Sequence, residues 1–237
     1  MCISGFHEPH SPFIVPQRFI DMYDSDSLTI PEFPSDVEDE RRETEGFSDE
    51  ELRNVTHGYY AMTSQVDYHV GRILDELERL GLEEDTLVVF TSDHGEFLGE
   101  HLRYGKGWPG YDCISRVPCL VRWSDGVEDP GRTESGLVES VDLLPTLLEA
   151  AGIQIPSHLQ GNSLEPALRD DEFSARESAL LESKQGRTLR TDQYRYVHAR
   201  DGSESLYRID QGEYEDLSGE HPDIVSDLRH RLLNRVT

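Results

Sequence analysis

Apolar residues recur at steps of three and four through Leu52, Val55, Tyr59, Met62, Val66, Val70, Ile73, Leu77 and Leu80. That spacing predicts one long amphipathic helix. Ser48 precedes it as an N-cap, and Asp49, Glu50 and Glu51 fill the first turn, where carboxylates suit the helix dipole. Gly81 closes it as a C′ glycine. The pattern then changes to Leu87-Val88-Val89-Phe90-Thr91, an unbroken apolar run that predicts a strand buried on both faces, as in a parallel sheet. The helix is expected to pack on that sheet. Arg116–Trp123 reads as a second buried strand, Gly136–Val141 as extended chain, and Leu143–Ala151 as a helix capped by Asp142, with Pro145 in its first turn and Gly152 ending it. Strand and helix in alternation predict an α/β fold whose mixed, mainly parallel sheet is flanked by helices.

The pattern shortens in the last third. Ala179–Glu182, Arg187–Thr191, Tyr194–Ala199 and Glu204–Ile209 are separated by turns at Asp192-Gln193 and Asp201-Gly202, which predicts a small antiparallel sheet. Ile224–Leu233 follows as an amphipathic helix. A boundary near residue 165 therefore divides an α/β domain, 1–165, from an antiparallel α+β subdomain, 166–237. Upstream, Gln17–Tyr23 reads as a helical turn, and the acidic run Asp36–Glu45 as a solvated loop.

Charge sharpens this picture. Among 237 residues, 48 are acidic and 22 basic, for a net charge of −26. The surplus is spread along the chain, which argues against nucleic acid or an anionic membrane as partner. Only Lys106 and Lys184 are lysines; the other bases are arginine. Abundant carboxylates with almost no lysine point to a halophile's protein, solvated and soluble where salt screens its self-repulsion; an acidic mesophile protein is the plainer alternative. Cys2, Cys113 and Cys119 are too few and too irregular for a disulfide framework or zinc site, so buried free thiols are expected. No apolar run is long enough to span a membrane, and Met1–Gly5 carries no signal peptide, so a cytoplasmic protein is expected.

The candidate chemistry gathers after the strand at 87–91. Asp93 and His94 stand just past its carboxyl end, the edge of an α/β sheet where ligands bind. A carboxylate and an imidazole suit a divalent metal, Ca²⁺ above all. Lys106, between Gly105 and Gly107, offers a point charge for a sulfate or phosphate oxygen. A surface lysine is the plain alternative, but this chain nearly avoids lysine. His7 and His10 lie on a proline-stiffened loop, His7-Glu8-Pro9-His10-Ser11-Pro12, and His10 could donate to the same anion or to a leaving oxygen.

These segments resemble a family. TSDHGEFLGEH, GKG and SRVPCLVRW are similar to the carboxyl-terminal half of a type I sulfatase of the alkaline phosphatase superfamily. FHEPHSPFIVPQRFIDMY, VDLLPTLLEAAG with LQGNSL, and SLYRIDQGEYEDLS resemble further ordered segments of that family. The resemblance implies a metal-dependent hydrolase of sulfate esters, small-molecule or carbohydrate. Asp93 and His94 would be ligands of Ca²⁺, with Mg²⁺ or Mn²⁺ as alternatives. Lys106 and His10 would bind sulfate and act in catalysis, His7 would neighbour the substrate, and Arg116 would be structural. The family's Cys-x-Pro-Ser-Arg motif, whose cysteine becomes the formylglycine nucleophile, is absent here, as is its amino-terminal Asp-Asp pair. The chain is thus expected to be a fragment whose partner is a missing amino-terminal half. A phosphonate or phosphodiester hydrolase of the same superfamily, and a non-catalytic fragment or binding module, remain as alternatives.

Overall fold

In the computed structural model, which describes residues 1–169 and 173–236, the elements run α1 (Gln17–Ile20), α2 (Ser35–Glu43), α3 (Asp49–Arg79), β1 (Val88–Thr91), α4 (Asp112–Ser115), β2 (Cys119–Arg122), α5 (Leu143–Ala150), α6 (Glu165–Leu168), β3 (Ala179–Glu182), β4 (Gly186–Arg190), β5 (Tyr194–Ala199), β6 (Glu204–Arg208) and α7 (Pro222–Val236). They form two compact units, one of Met1–Glu83 with Gly95–Lys106, the other of Glu84–His94 with Gly107–Thr237. The α/β class holds.

The first unit is built on α3. Ser48 and Glu51 cap it reciprocally: the Ser48 hydroxyl accepts from the Glu51 N–H, and the Glu51 carboxylate accepts from the Ser48 N–H, each at 3.3 Å. Gly81 closes the helix at φ +64°. Leu52, Ala61, Met62 and Val66 are buried. Gly58 lets Phe13 approach, since a Cβ there would stand 2.7 Å from Phe13 Cβ. His57, half-buried on the helix, places Nε2 2.9 Å from the Ile20 carbonyl and so ties α3 to the end of α1. The acidic run differs from expectation, because Ser35–Glu43 is a helix and not a loop. Its anchor is Arg41, which is buried and reaches Glu38 at 2.6 Å, Asp49 at 2.8 Å and the Phe47 carbonyl at 2.8 Å. One charged side chain does the work of an apolar stripe, so hydrophobic periodicity gives no sign of it.

In the second unit, β1 and β2 pair antiparallel, with Val88 opposite Arg122 and Phe90 opposite Leu120. Strand–helix alternation had pointed to parallel neighbours. The connection, however, contains only one-turn helices and no crossover helix of the kind that usually joins parallel neighbours. Nor are these strands buried on both faces: Phe90 is 38% exposed and Leu120 59%. The thiols differ likewise, with Cys2 and Cys119 exposed and Cys113 half-buried, none of them in a disulfide.

The antiparallel sheet forms as expected, in the order β3-β4-β5-β6. Its register lines up Leu180, Leu189, Tyr196 and Leu206 as one row across four strands. Leu189, Tyr196 and Leu206 form a core with Val225, Leu228 and Leu232 of α7. Arg190 and Arg195 are also cross-strand partners. Like charges so placed repel, and Asp112 on α4 lies against both, at 3.1 Å and 2.6 Å. Glu213 takes the other side of Arg195 and accepts from the Asp112 N–H at 2.8 Å.

A second carboxylate organises the approach to α5. Asp142 is buried but makes no side-chain cap on α5. It accepts instead from the N–H groups of Glu139 at 2.8 Å and Asn162 at 2.7 Å, and pairs with Arg176. Burial alone would raise its carboxyl, but Arg176 and the two N–H groups outweigh burial and hold it below the ordinary value. A depressed folded-state value means that this stability is fully present above the unfolded aspartate value of about 4 and is lost as pH falls through the folded value. Asp142→Asn is expected to cost about 1.5–3 kcal/mol at neutral pH. Melting temperature measured against pH should show its deficit shrinking below about pH 4; a deficit constant down to pH 2 would refute the assignment.

Candidate functional site

The Asp93–His94 turn is built from the end of β1. The Thr91 hydroxyl donates to the Pro118 carbonyl at 2.9 Å, fixing the strand end beside the approach to β2. The Ser92 hydroxyl donates to the His94 carbonyl at 2.9 Å, and the His94 N–H donates to Asp93 Oδ1 at 3.0 Å. This leaves Asp93 Oδ2 3.9 Å from His94 Nε2. A hard cation held at about 2.3–2.6 Å from oxygen ligands fits between atoms so spaced. The donor set suits a divalent metal. Asp93 is 87% exposed, so the pair alone gains little from a low dielectric.

Lys106 lies in the other unit, at the end of a segment folded back on itself. The Phe97 N–H donates to the Gly105 carbonyl at 3.0 Å, and the Gly99 N–H to the Arg103 carbonyl at 2.9 Å. Phe97 is buried. Gly99 sits at φ +99°, where a Cβ would overlap Leu52, so only glycine serves there. The Glu96 carboxylate accepts from the N–H groups of Leu98, at 3.4 Å, and Gly105. Glu96 thus clamps the residue next to Lys106. The sequence showed an acid after Asp93-His94-Gly95 but nothing to say that its partner is backbone. Burial, and then the charge of Glu96, push the Tyr59 hydroxyl up.

His7 and His10 belong to the same unit as Lys106. Their rings lie 4.9 Å apart, tilted by 43°, and the His10 N–H donates to the His7 carbonyl at 3.1 Å. His10 Nδ1 lies 2.8 Å from the Ser11 carbonyl. A carbonyl only accepts, so Nδ1 carries a proton, and Nε2 becomes a donor when the ring is charged. Arg116 follows α4 as its C-cap and is exposed.

Residues 2–153 match the family model described as Sulfatase, and residues 99–234 the model described as N-sulphoglucosamine sulphohydrolase, C-terminal. The chain belongs to the sulfatase family, within the alkaline phosphatase superfamily. It is 31% identical over 204 residues to arylsulfatase K of Bos taurus, covering 78% of this chain and 37% of that protein. It is 39% identical over 113 residues to an N-acetylglucosamine-6-O-sulfatase of Bacteroides thetaiotaomicron, covering 48% of this chain and 20% of that protein. Its fold matches the phosphonate monoester hydrolase of Silicibacter pomeroyi with a TM-score of 0.85 and 26% identity, over 95% of this chain and 53% of the other. The chain thus spans only part of each relative. Among the described residues no helix is long and apolar enough to cross a membrane.

Proposed function

We propose that the chain carries the carboxyl-terminal share of a metal-dependent sulfatase. Asp93 and His94 hold a divalent cation, Ca²⁺ in preference to Mg²⁺ or Mn²⁺, because a carboxylate favours a hard cation that tolerates irregular geometry. Lys106 and the charged form of His10 donate to the oxygens of the transferred group and of the leaving alcohol, with His7 alongside. A bound cation would supply positive charge to that group and to its nucleophile. No Cys-x-Pro-Ser-Arg motif occurs in this sequence, so these residues contribute cation and anion binding and not the nucleophile. In this reading residues 1–165 belong to the catalytic domain, and 166–237 form its small antiparallel subdomain. The substrate is a sulfate ester of a small molecule or carbohydrate, the class named in the Bacteroides relative. The observation that carries the proposal is the 3.9 Å spacing of Asp93 Oδ2 and His94 Nε2 at the end of β1.

Calcium titration by calorimetry should give weak binding, lost in Asp93→Asn and in His94→Ala. Tight stoichiometric binding, or binding that both variants retain, would sink the assignment. The purified chain should not turn over a chromogenic aryl sulfate, since turnover would mean that it holds a nucleophile. The match to a phosphonate monoester hydrolase favours a second reading, with the same residues acting on phosphonate or phosphodiester. Competition between sulfate and methylphosphonate at Lys106, followed by NMR of its Nζ group, separates the two readings.

A further inference from the structure

Tyr104 stands two residues before Lys106, in the same unit. The Phe47 ring lies flat against it, with centroids 4.9 Å apart and planes inclined by 4°. Its hydroxyl donates to the Gly46 carbonyl at 2.8 Å. One face and the tip of the ring are thus fixed by the chain just ahead of α3, yet Tyr104 is 39% exposed. A tyrosine side chain has two torsions, and here both are pinned, so the ring presents its outer face at little cost in conformational entropy. The backbone between the two residues is also fixed. The Gly105 N–H donates to the Glu96 carboxylate, and the Gly105 carbonyl accepts from the Phe97 N–H at 3.0 Å. Tyr104 and Lys106 are both exposed. Two peptide units span at most about 7 Å, which brings an anchored aromatic face within one sugar's length of the ammonium-bearing residue.

We infer that Tyr104 is a specificity-determining residue: when Lys106 holds the sulfate of a sulfated sugar, the apolar C–H face of the sugar ring lies on the outer face of Tyr104. The inference rests on the anion-binding role proposed above for Lys106 and adds a choice of alcohol to it. Lys106 attracts any sulfate ester, because a point charge reads the anion alone. A flat ring beside it favours esters whose alcohol offers an apolar face, as a pyranose does and a short open-chain alcohol does not. Phe47 serves as the backing that keeps the Tyr104 ring in place. The hydroxyl is already committed to Gly46, so recognition comes from the ring's surface and not from its polar tip.

The test titrates the full chain with methyl sulfate and with N-acetylglucosamine 6-sulfate, followed by NMR of Lys106 Nζ and of the Gly105 and Gly107 amides. Both ligands carry a single negative charge, so repulsion from the acidic chain and screening by salt cancel in the ratio of their affinities. Wild type should bind the sugar sulfate roughly threefold to tenfold more tightly than methyl sulfate. Tyr104→Phe should keep that ratio, because the ring remains. Tyr104→Leu, which keeps bulk but loses the flat face, should bring the ratio to about one and leave methyl sulfate affinity unchanged. A ratio near one in wild type, or one that survives Tyr104→Leu, would overturn the inference and leave the role of Lys106 intact. Equal loss of both ligands in Tyr104→Leu would also overturn it, since Tyr104 would then only support the segment. Methyl sulfate binding that survives Lys106→Ala would sink the role of Lys106 itself, and this inference with it.

Discussion

Arg195→Ala is expected to destabilise the second unit by about 3–5 kcal/mol, the cost of leaving a buried carboxylate without its counter-charge. Arg195 is fully buried, and Glu213 is nearly so. Among the described residues, removing the guanidinium leaves Glu213 with one donor, the Asp112 N–H. It also takes from Asp112 one of the two cross-strand arginines that share it. For a chain of this size the loss corresponds to a fall of roughly 10 °C in melting temperature. Adding Glu213→Gln to Arg195→Ala should recover part of the loss, because it removes the stranded charge. A loss below about 1 kcal/mol would show that solvent enters and compensates. Burial pushes the Asp112 carboxyl up, but Arg190, Arg195 and Arg116 outweigh it and hold Asp112 below the ordinary value. The network should therefore weaken as pH falls through that depressed value and be intact above about pH 4.

That network was invisible in the sequence, and the reason is instructive. Arg195 alternates with Tyr196 along β5, so strand periodicity places it opposite the core and reads it as solvent-facing. The partners that bury it, Asp112 and Glu213, are distant in the chain. Arg41 is equally silent in the sequence, because charged and backbone partners bury it. What was legible depended on local periodicity: α3 with its cap, the β3–β6 ladder and α7 all carry their signal within a few residues. The unbroken apolar run at β1 reads as burial on both faces. It reports a preference for burial, and Phe90 and Leu120 show that the described chain does not fully satisfy it. At the candidate site, Asp93 and His94 stood out because polarity changes abruptly at a strand end. Glu96 did not stand out, because a carboxylate that serves backbone N–H groups looks like any surface acid.

Salt is expected to have the other large effect. With 48 acids and 22 bases, acidic charges exceed basic ones by 26, and the net charge of −26 repels itself in the folded state. In 0.1 M salt the screening length is about 10 Å, and in 1 M about 3 Å. Raising KCl across that range should therefore raise the melting temperature. Opposing this, salt weakens the ion pairs, but the exposed ones contribute only about 0–1 kcal/mol each. The buried ones, such as Arg195 with Glu213, are shielded from it. Net repulsion should win. Chloride is the anion to use, because sulfate strengthens apolar burial in any protein. A variant with Glu40→Gln, Glu43→Gln and Glu45→Gln should show a smaller salt response, since it removes unpaired charge without touching Arg41 or Glu38. A melting temperature flat from dilute buffer to molar KCl would refute both the repulsion argument and the halophile reading of the composition.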